Sequence, residues 1–193
     1  MDLSGLNNKK LVDLIRQGKI GVLPTDTIYG IHASIFHPES IEKIYNLKNK
    51  DPKEATVVLI SSFEDLNLLK INITREDKKF LEKVWPGKIS VVLPLNNEWF
   101  SYIHRGNNSL AVRLPADSDL IEFLHETGPL VSTSASPSGE NYATTIEEAE
   151  NYFGDKLDFY VNAGVLKVEP STVVELIGGK IKIIREGALK LTK

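Results

Sequence analysis

The sequence predicts an α/β domain with an open, twisted, mixed β-sheet and flanking helices. Amphipathic segments of helical period alternate, imperfectly, with apolar runs of strand length. Near the C-terminal end, two apolar runs joined by Gly178-Gly179 predict a β-hairpin, which brings antiparallel pairing into the sheet. No repeat, low-complexity segment or linker interrupts the chain, so we expect a single domain over residues 1–193.

Helices are predicted where apolar periodicity coincides with start and stop signals. They cover residues 7–18, 38–49, 74–85 and 118–126, and a further helix begins after Thr145. Glu148 lies three positions after Thr145, which predicts a capping box.

Strands are predicted from short apolar runs bounded by turn residues. They cover residues 19–23, 54–60, 89–95, 110–114, 130–131, 172–177 and 180–185. Alternation along the fourth of these places Ser109, Ala111 and Arg113 on one face of the sheet.

Composition excludes several classes of function. A net charge of −3 excludes a broadly basic nucleic-acid-binding surface. Without cysteine the chain has no disulfide, thiolate nucleophile or Cys-based zinc site, which suits the cytoplasm. The four histidines have no metal-ligand spacing, and both common glycine-rich phosphate motifs are absent. The first ten residues lack the apolar core of a secretory signal, and no apolar run is long enough for a membrane span.

Two polar segments directly follow predicted strands. Thr25, Asp26 and Thr27 come after the apolar run 20–23 and Pro24, as a turn or as the floor of a polar binding site. Residues 132–140, with sequence STSASPSGE, form either a flexible surface loop or a set of hydroxyls and backbone N–H groups for phosphate. Ligands of open α/β sheets bind at such strand ends.

Several cationic residues have two interpretations each. Lys48 ends the core-facing apolar stripe of its helix. Together with Lys50 it belongs either to a solvent-exposed turn or to an anion-binding site. Arg113 pairs with a carboxylate of the chain or holds a substrate carboxylate or phosphate. Arg185, at the end of an apolar run, forms a structural ion pair or brings a second guanidinium to the polar floor.

Seven segments occur in an order that resembles the threonylcarbamoyl-AMP synthase family, the YrdC-like domain. They are PTDTIYG, IYNLKNKDPKEATVVLI, WPGKISVVLPL, LAVRLP, PLVSTSASPSG, PSTVVEL and IIREGAL, and the resemblance extends from about Gly21 to Leu189. It implies the short, single-domain YrdC-like form with a basic cavity. It also implies a nucleotidyltransferase that uses ATP, L-threonine and bicarbonate with Mg²⁺. The products would be L-threonylcarbamoyladenylate and pyrophosphate, for the N6-threonylcarbamoyl modification of adenosine 37 in tRNA by downstream transfer proteins.

The resemblance also implies roles for individual residues. The positions expected to bind threonine are Thr25, Tyr29, Arg113 and Thr172. The positions expected to bind ATP are Lys48, Lys50, Ser134, Ser136, Ser138 and Arg185. Lys48, Lys50 and Arg113 would act in catalysis, and no metal-ligating residue is assigned.

The chain departs from the family pattern at several of these positions. Lys50 replaces an arginine, Ser136 replaces an asparagine, and Leu59 stands where a histidine is frequent. A non-catalytic or weakly catalytic member that binds tRNA or double-stranded RNA is therefore an alternative. A third is an adenylating enzyme acting on carbamoyl phosphate, as YrdC-like domains do within hydrogenase-maturation proteins.

Overall fold

The computed structural model describes residues 2–95 and 98–191 of the chain. The strands are β1 (Asp2–Ser4), β2 (Gly21–Leu23), β3 (Gly30–Ser34), β4 (Val57–Leu59), β5 (Ile89–Pro94), β6 (Ser109–Arg113), β7 (Leu130–Ser134), β8 (Phe159–Asn162), β9 (Thr172–Ile177) and β10 (Lys180–Arg185). The helices are α1 (Lys9–Arg16), α2 (Pro38–Lys48), α3 (Asp65–Leu68), α4 (Arg75–Val84), α5 (Ser101–His104), α6 (Ser118–Thr127) and α7 (Ile146–Phe153). A 3₁₀ turn at Gly154–Lys156 follows α7.

All the described strands belong to one sheet, in the order β1-β8-β2-β3-β7-β4-β6-β5-β9-β10. Parallel pairs, such as β4 with β6 and β5 with β9, are mixed with antiparallel pairs, such as β3 with β7 and β9 with β10. The predicted α/β class with a mixed sheet and flanking helices is therefore confirmed. None of the described helices has the length and apolarity needed to cross a membrane.

The two faces of the sheet are covered unequally. Alternate strand residues such as Val58, Val112 and Val174 join the larger core cluster, which the apolar sides of α2, α4 and α7 complete. On the opposite face, α1 and α6 pack together over a smaller cluster that contains Leu59 and Phe159. The part of this second face that α1 and α6 leave open holds the candidate site.

The predicted capping box of α7 is formed in part. Thr145 Oγ1 accepts a hydrogen bond from Glu148 N (3.3 Å), and the Glu148 carboxylate accepts mainly from Thr144 N (2.7 Å), with a weaker contribution from the backbone of Thr145. Thr144 lies two residues before the first residue of α7, where both its N–H and its hydroxyl reach that carboxylate. A complete capping box exists instead at α4, between Thr74 and Asp77.

Several strand bounds differ from expectation. The strand predicted over residues 54–60 is only Val57–Leu59, because Glu54 and Ala55 are held in a turn against Lys50. The strand predicted at 130–131 runs to Ser134, since pairing with β3 extends it into the supposed loop. The hairpin over residues 172–177 and 180–185 is confirmed.

Candidate functional site

A cavity of about 640 Å³ lies on the open part of the sheet. Its floor comes from β3, β7, β4, β6, β5 and β9, and residues between β2 and β3, before β4 and after β7 form much of its rim. Ser109, Ala111 and Arg113 all line it, as the alternation along β6 predicted. Of the predicted site residues, those in the lining are Thr25, Lys50, Arg113, Ser134, Ser136 and Arg185.

Arg113 is held on three sides. Nη2 donates to Asp26 Oδ1, Nη1 donates to Thr27 Oγ1 (3.0 Å), and Nε donates to Gly87 O (3.2 Å). The second oxygen of Asp26 accepts from Ala116 N (3.1 Å), so the carboxylate is itself fixed. A guanidinium has five N–H groups. One N–H on each terminal nitrogen is therefore left for a ligand.

Both ions of this pair are buried. The side chains of Arg113 and Asp26 are 5% and 8% exposed. Burial lowers the pKa of Arg113, and the Asp26 carboxylate opposes that shift by favouring the guanidinium. Arginine remains protonated in proteins. The result is a fixed positive group at the cavity wall, with a neutralising partner on its protein side.

The segment after Pro24 is both a turn and a cavity wall. Thr25 Oγ1 donates to Ile28 O (2.7 Å) and accepts from Thr27 N (3.1 Å), which closes the turn. The Oγ1 atoms of Thr25 and Thr27 lie 3.0 Å apart, and both residues line the cavity. The two interpretations of this segment are compatible, because the turn orients the hydroxyls.

Lys48 is buried and bonds to the backbone of residues 134–138, which we call the serine loop. Its Nζ donates to Ser134 O (2.5 Å) and to Ser136 O, and Ser138 N donates to Lys48 O (2.8 Å). Burial, and to a lesser extent Lys50, lowers the pKa of Lys48 to about 8. Lys48 thus fixes residues 134–138, and it is not among the lining residues.

Lys50 lies at the cavity wall with its ammonium partly neutralised. Nζ is 3.1 Å from Glu54 Oε1 and 3.3 Å from Ala55 O, and it lies 5.4 Å from the ring centroid of Tyr45. Burial lowers the pKa of Lys50, whereas the Glu54 carboxylate raises it. An incoming anion would therefore compete with Glu54 for this ammonium.

Within the serine loop, two of the three predicted residues reach the cavity. Ser134 and Ser136 line it, with their Oγ atoms 3.4 Å apart. Ser138 is exposed and lies outside the lining. Its predicted contact with the nucleotide needs a ligand that extends beyond the cavity.

Tyr29 and Thr172 contact other parts of the chain and do not line the cavity. The fully buried Tyr29 hydroxyl donates to the carbonyl of residue 164 and accepts from the N–H of residue 163, both at 2.8 Å. Thr172 Oγ1 donates to Leu189 O (2.5 Å) and accepts from Gly187 N (3.0 Å). In this structure both hydroxyls position neighbouring segments.

Arg185 lines the cavity from the hairpin. Its Nη2 donates to Ser171 O (2.8 Å), and burial lowers its pKa. Over residues 2–95 and 98–191 it forms no ion pair with a carboxylate. Of its two interpretations, the structure favours a second guanidinium at the polar floor.

Charges in the lining are balanced. The ionised lining residues are Lys50, Arg113 and Arg185 on one side and Glu54, Glu140 and Glu175 on the other. The cavity is therefore not uniformly basic. The described residues contain no group of three or more His, Asp or Glu side chains that could hold a metal ion.

Sequence reasoning placed Asp26 and Thr27 at the floor of a polar site without pairing them with Arg113, and it gave Ser132 no role of its own. Asp26 and Thr27 were noticed, but their contact with Arg113 joins positions 87 and 86 residues apart. Ser132 lines the cavity and contacts the buried His32 across β3 and β7. Strand alternation along β7 would have placed Ser132 on the face of Ser134, had that strand been predicted at its full length.

The chain is similar to known proteins over most of its length. The Sua5/YciO/YrdC family model, described as "Telomere recombination", matches residues 13–187. A Threonylcarbamoyl-AMP synthase of Pyrococcus abyssi is 29% identical over 180 residues, covering 92% of this chain and 53% of that protein. One from Pseudomonas aeruginosa is 27% identical over 172 residues, covering 87% and 91%. This chain thus spans about half the length of the first relative.

A solved structure shares the fold. The crystal structure of P. abyssi Sua5 complexed with L-threonine superposes with a TM-score of 0.88 at 25% identity. The match covers 97% of this chain and 57% of that one.

Proposed function

Because the chain belongs to the Sua5/YciO/YrdC family, we propose that it makes L-threonylcarbamoyladenylate and pyrophosphate from L-threonine, bicarbonate and ATP. The observation that carries the proposal is the fixed Arg113 guanidinium, which keeps N–H donors on both terminal nitrogens at the cavity wall. Two such donors match the two oxygens of an amino-acid carboxylate. A related structure with bound L-threonine supports the choice of amino acid.

The threonine end of the site combines a cation with hydroxyls. Arg113 would bind the carboxylate of threonine. Thr25 and Thr27, held 3.0 Å apart by their turn, would face the amine and the hydroxyl of the same substrate. Hydroxyls suit both groups, because each hydroxyl can donate and accept.

The nucleotide end lies between the serine loop and the hairpin. Lys50 and Arg185 would bind phosphates of ATP, and Ser134 and Ser136 would contribute hydroxyls. Lys48 would act by holding the serine loop in place. Magnesium typically binds proteins through one or two carboxylates plus substrate phosphates. Mg²⁺ would therefore enter as the MgATP complex, as part of the substrate.

The proposed chemistry has three steps. Bicarbonate takes up a proton and loses water to give carbon dioxide. The threonine amine attacks that carbon dioxide, loses a proton and becomes a carbamate. A carbamate oxygen then attacks the α-phosphorus of ATP, the bond to the bridging oxygen breaks, and pyrophosphate leaves. The chain's part is to align the two substrates and to stabilise the charge of the transition state.

Pyrophosphate release tests the proposal. We expect release from MgATP and bicarbonate only when L-threonine is present, and its loss in Thr25→Ala and Arg185→Ala. Arg75→Ala changes an exposed arginine of α4 and serves as the matched control. Threonine-independent release, or none from folded protein, would contradict the proposed reaction.

A second candidate function is RNA binding, favoured by one surface. Lys180, Lys182 and Arg185 pair with Ile177, Glu175 and Val173, so they lie on the cavity side of the hairpin. A tRNA substrate or double-stranded RNA would meet these cations. In that case binding to tRNA should weaken steeply with salt and decrease in Lys180→Gln. The first proposal, synthesis of L-threonylcarbamoyladenylate, also includes the later transfer of the threonylcarbamoyl group to tRNA by partner proteins in the cytoplasm.

A further inference from the structure

His32 and Ser132 form a polar pair beneath the cavity floor. They are register partners in β3 and β7, and His32 Nε2 lies 3.1 Å from Ser132 Oγ. His32 is completely buried, whereas Ser132 is half-buried and lines the cavity. The hydroxyl is therefore the only atom of the pair's hydrogen bond that a ligand can reach.

The imidazole is neutral at ordinary pH. Burial lowers the pKa of His32 to about 4, against a smaller raising contribution from the backbone of Gly30. A neutral imidazole carries one proton, on either Nδ1 or Nε2. Within the described part of the chain, Nδ1 has no hydrogen-bond partner.

The environment of the ring decides where that proton lies. A proton on Nδ1 would point towards the Gly30 carbonyl without meeting hydrogen-bond geometry, and a buried N–H that lacks a full hydrogen bond costs about 1–3 kcal/mol. A proton on Nε2 can be donated to Ser132 Oγ, and the unprotonated Nδ1 is the less costly group to leave unpaired. The Nε2–H form is therefore favoured, and Ser132 accepts from His32.

We propose that His32 is a positioning residue that fixes the Ser132 hydroxyl as a hydrogen-bond donor to an anionic substrate oxygen. Since its oxygen accepts from the imidazole, the hydroxyl directs its own proton into the cavity. The chemistry recognised is an acceptor oxygen, either of a carboxylate or of a phosphate. This inference rests on the proposed function only in its choice of L-threonine and MgATP as probes.

The backbone beside the ring supports a fixed orientation. Gly30 lies two residues before His32 on the same face of β3 and also lines the cavity. A Cβ at position 30 would lie 2.8 Å from His32 Cε1 and 3.1 Å from Thr133 O. The ring thus occupies the space that any other residue at position 30 would fill, and it has little freedom to turn away from Ser132.

Nuclear magnetic resonance tests the tautomer without any ligand. In ¹⁵N-labelled protein, long-range ¹H–¹⁵N correlations distinguish the two tautomers, and the signals missing from His32→Gln identify His32 among the four histidines. We expect the Nε2–H form, with no change between about pH 5.5 and 8. The Nδ1–H form, with its proton towards the Gly30 carbonyl, would overturn the proposal whatever reaction the protein catalyses.

A double-mutant cycle tests whether His32 acts through Ser132. Calorimetric titrations of L-threonine and of MgATP would compare parent, His32→Phe, Ser132→Ala and the double variant. We expect roughly 5–20-fold weaker binding of one probe in each single variant and no further loss in the double variant. His32→Gln, whose amide can donate to Ser132, should restore most of the affinity.

The two probes separate the two sources of the anionic oxygen. Weakened L-threonine binding would identify a carboxylate, and weakened MgATP binding would identify a phosphate. Additive losses in the double variant, or unchanged binding of both probes by folded single variants, would overturn the proposal. If His32→Phe does not fold, Ser132→Ala and His32→Gln are compared instead. The proposal then requires weaker binding in Ser132→Ala and nearly unchanged binding in His32→Gln.

Discussion

Replacing Asp26 with asparagine should destabilise the fold severely. The substitution removes the charge that balances Arg113, in a pair whose side chains are only 5% and 8% exposed. It also turns one oxygen into an NH₂ donor facing the guanidinium or Ala116 N. Breaking one partner of a buried ion pair costs about 3–5 kcal/mol. For a chain of this length, that corresponds to roughly 6–20 °C in melting temperature.

Urea and thermal unfolding measure this loss directly. Glu169→Gln is the matched control, because its ion pair with Lys190 (3.4 Å) has side chains more than half exposed. Such a pair contributes about 0–1 kcal/mol. If Asp26→Asn costs no more than the control, then Asp26 does not hold Arg113 and the basis of the proposed carboxylate site is wrong. At temperatures where Asp26→Asn remains folded, we also expect a higher KM for L-threonine.

Three further predictions concern the rest of the site. Folding lowers the pKa of Lys48 from 10.5 to about 8. The unfolded chain then binds this proton more strongly, and the free energy of unfolding should rise between about pH 8 and 10.5. Lys48→Met should lack that rise in urea titrations, and an identical pH slope would contradict the assignment. Glu54→Gln should bind MgATP severalfold more tightly at low salt by freeing Lys50, and unchanged affinity would refute the competition. Gly187→Ala should melt at a lower temperature, since its Cβ would lie 2.2 Å from Pro170 O; an unchanged midpoint would contradict the packing.

Elements with local signals were predictable from the sequence. The hairpin of β9 and β10 was correct because its turn residues and both apolar runs are adjacent in the chain. α2 was correct because Pro38 and its apolar stripe mark the helix without reference to other elements. By contrast, β3 and β8 were missed. β3 carries His32 and Ser34 within a short run, and only its pairing with β2 and β7 makes it a strand.

The same distinction applies to the site. Alternation along one strand predicted the face of the sheet on which Arg113 lies. In the structure, Arg113 lines the cavity on that face. Its partner Asp26 did not follow, because the contact depends on how the turn before β3 meets the end of β6. The burial of Lys48 was visible as a break in an apolar stripe, but its acceptors are carbonyls of a loop 86 and 88 residues away.

The strand order has a consequence for biosynthesis. β5 lies between β6 and β9, and it pairs in parallel with β9, with Ile89 opposite Thr172. β5 therefore has a neighbour on both sides only after the chain has been synthesised as far as β9. A nascent chain that has not yet reached Arg185 already contains Thr25, Lys50 and Arg113, but lacks one wall of the cavity. A ligand stabilises only the state that binds it. A ligand that needs the wall with Arg185 can therefore stabilise the fold only once the hairpin is made, and until then β5 remains an open edge that chaperones or other strands can contact.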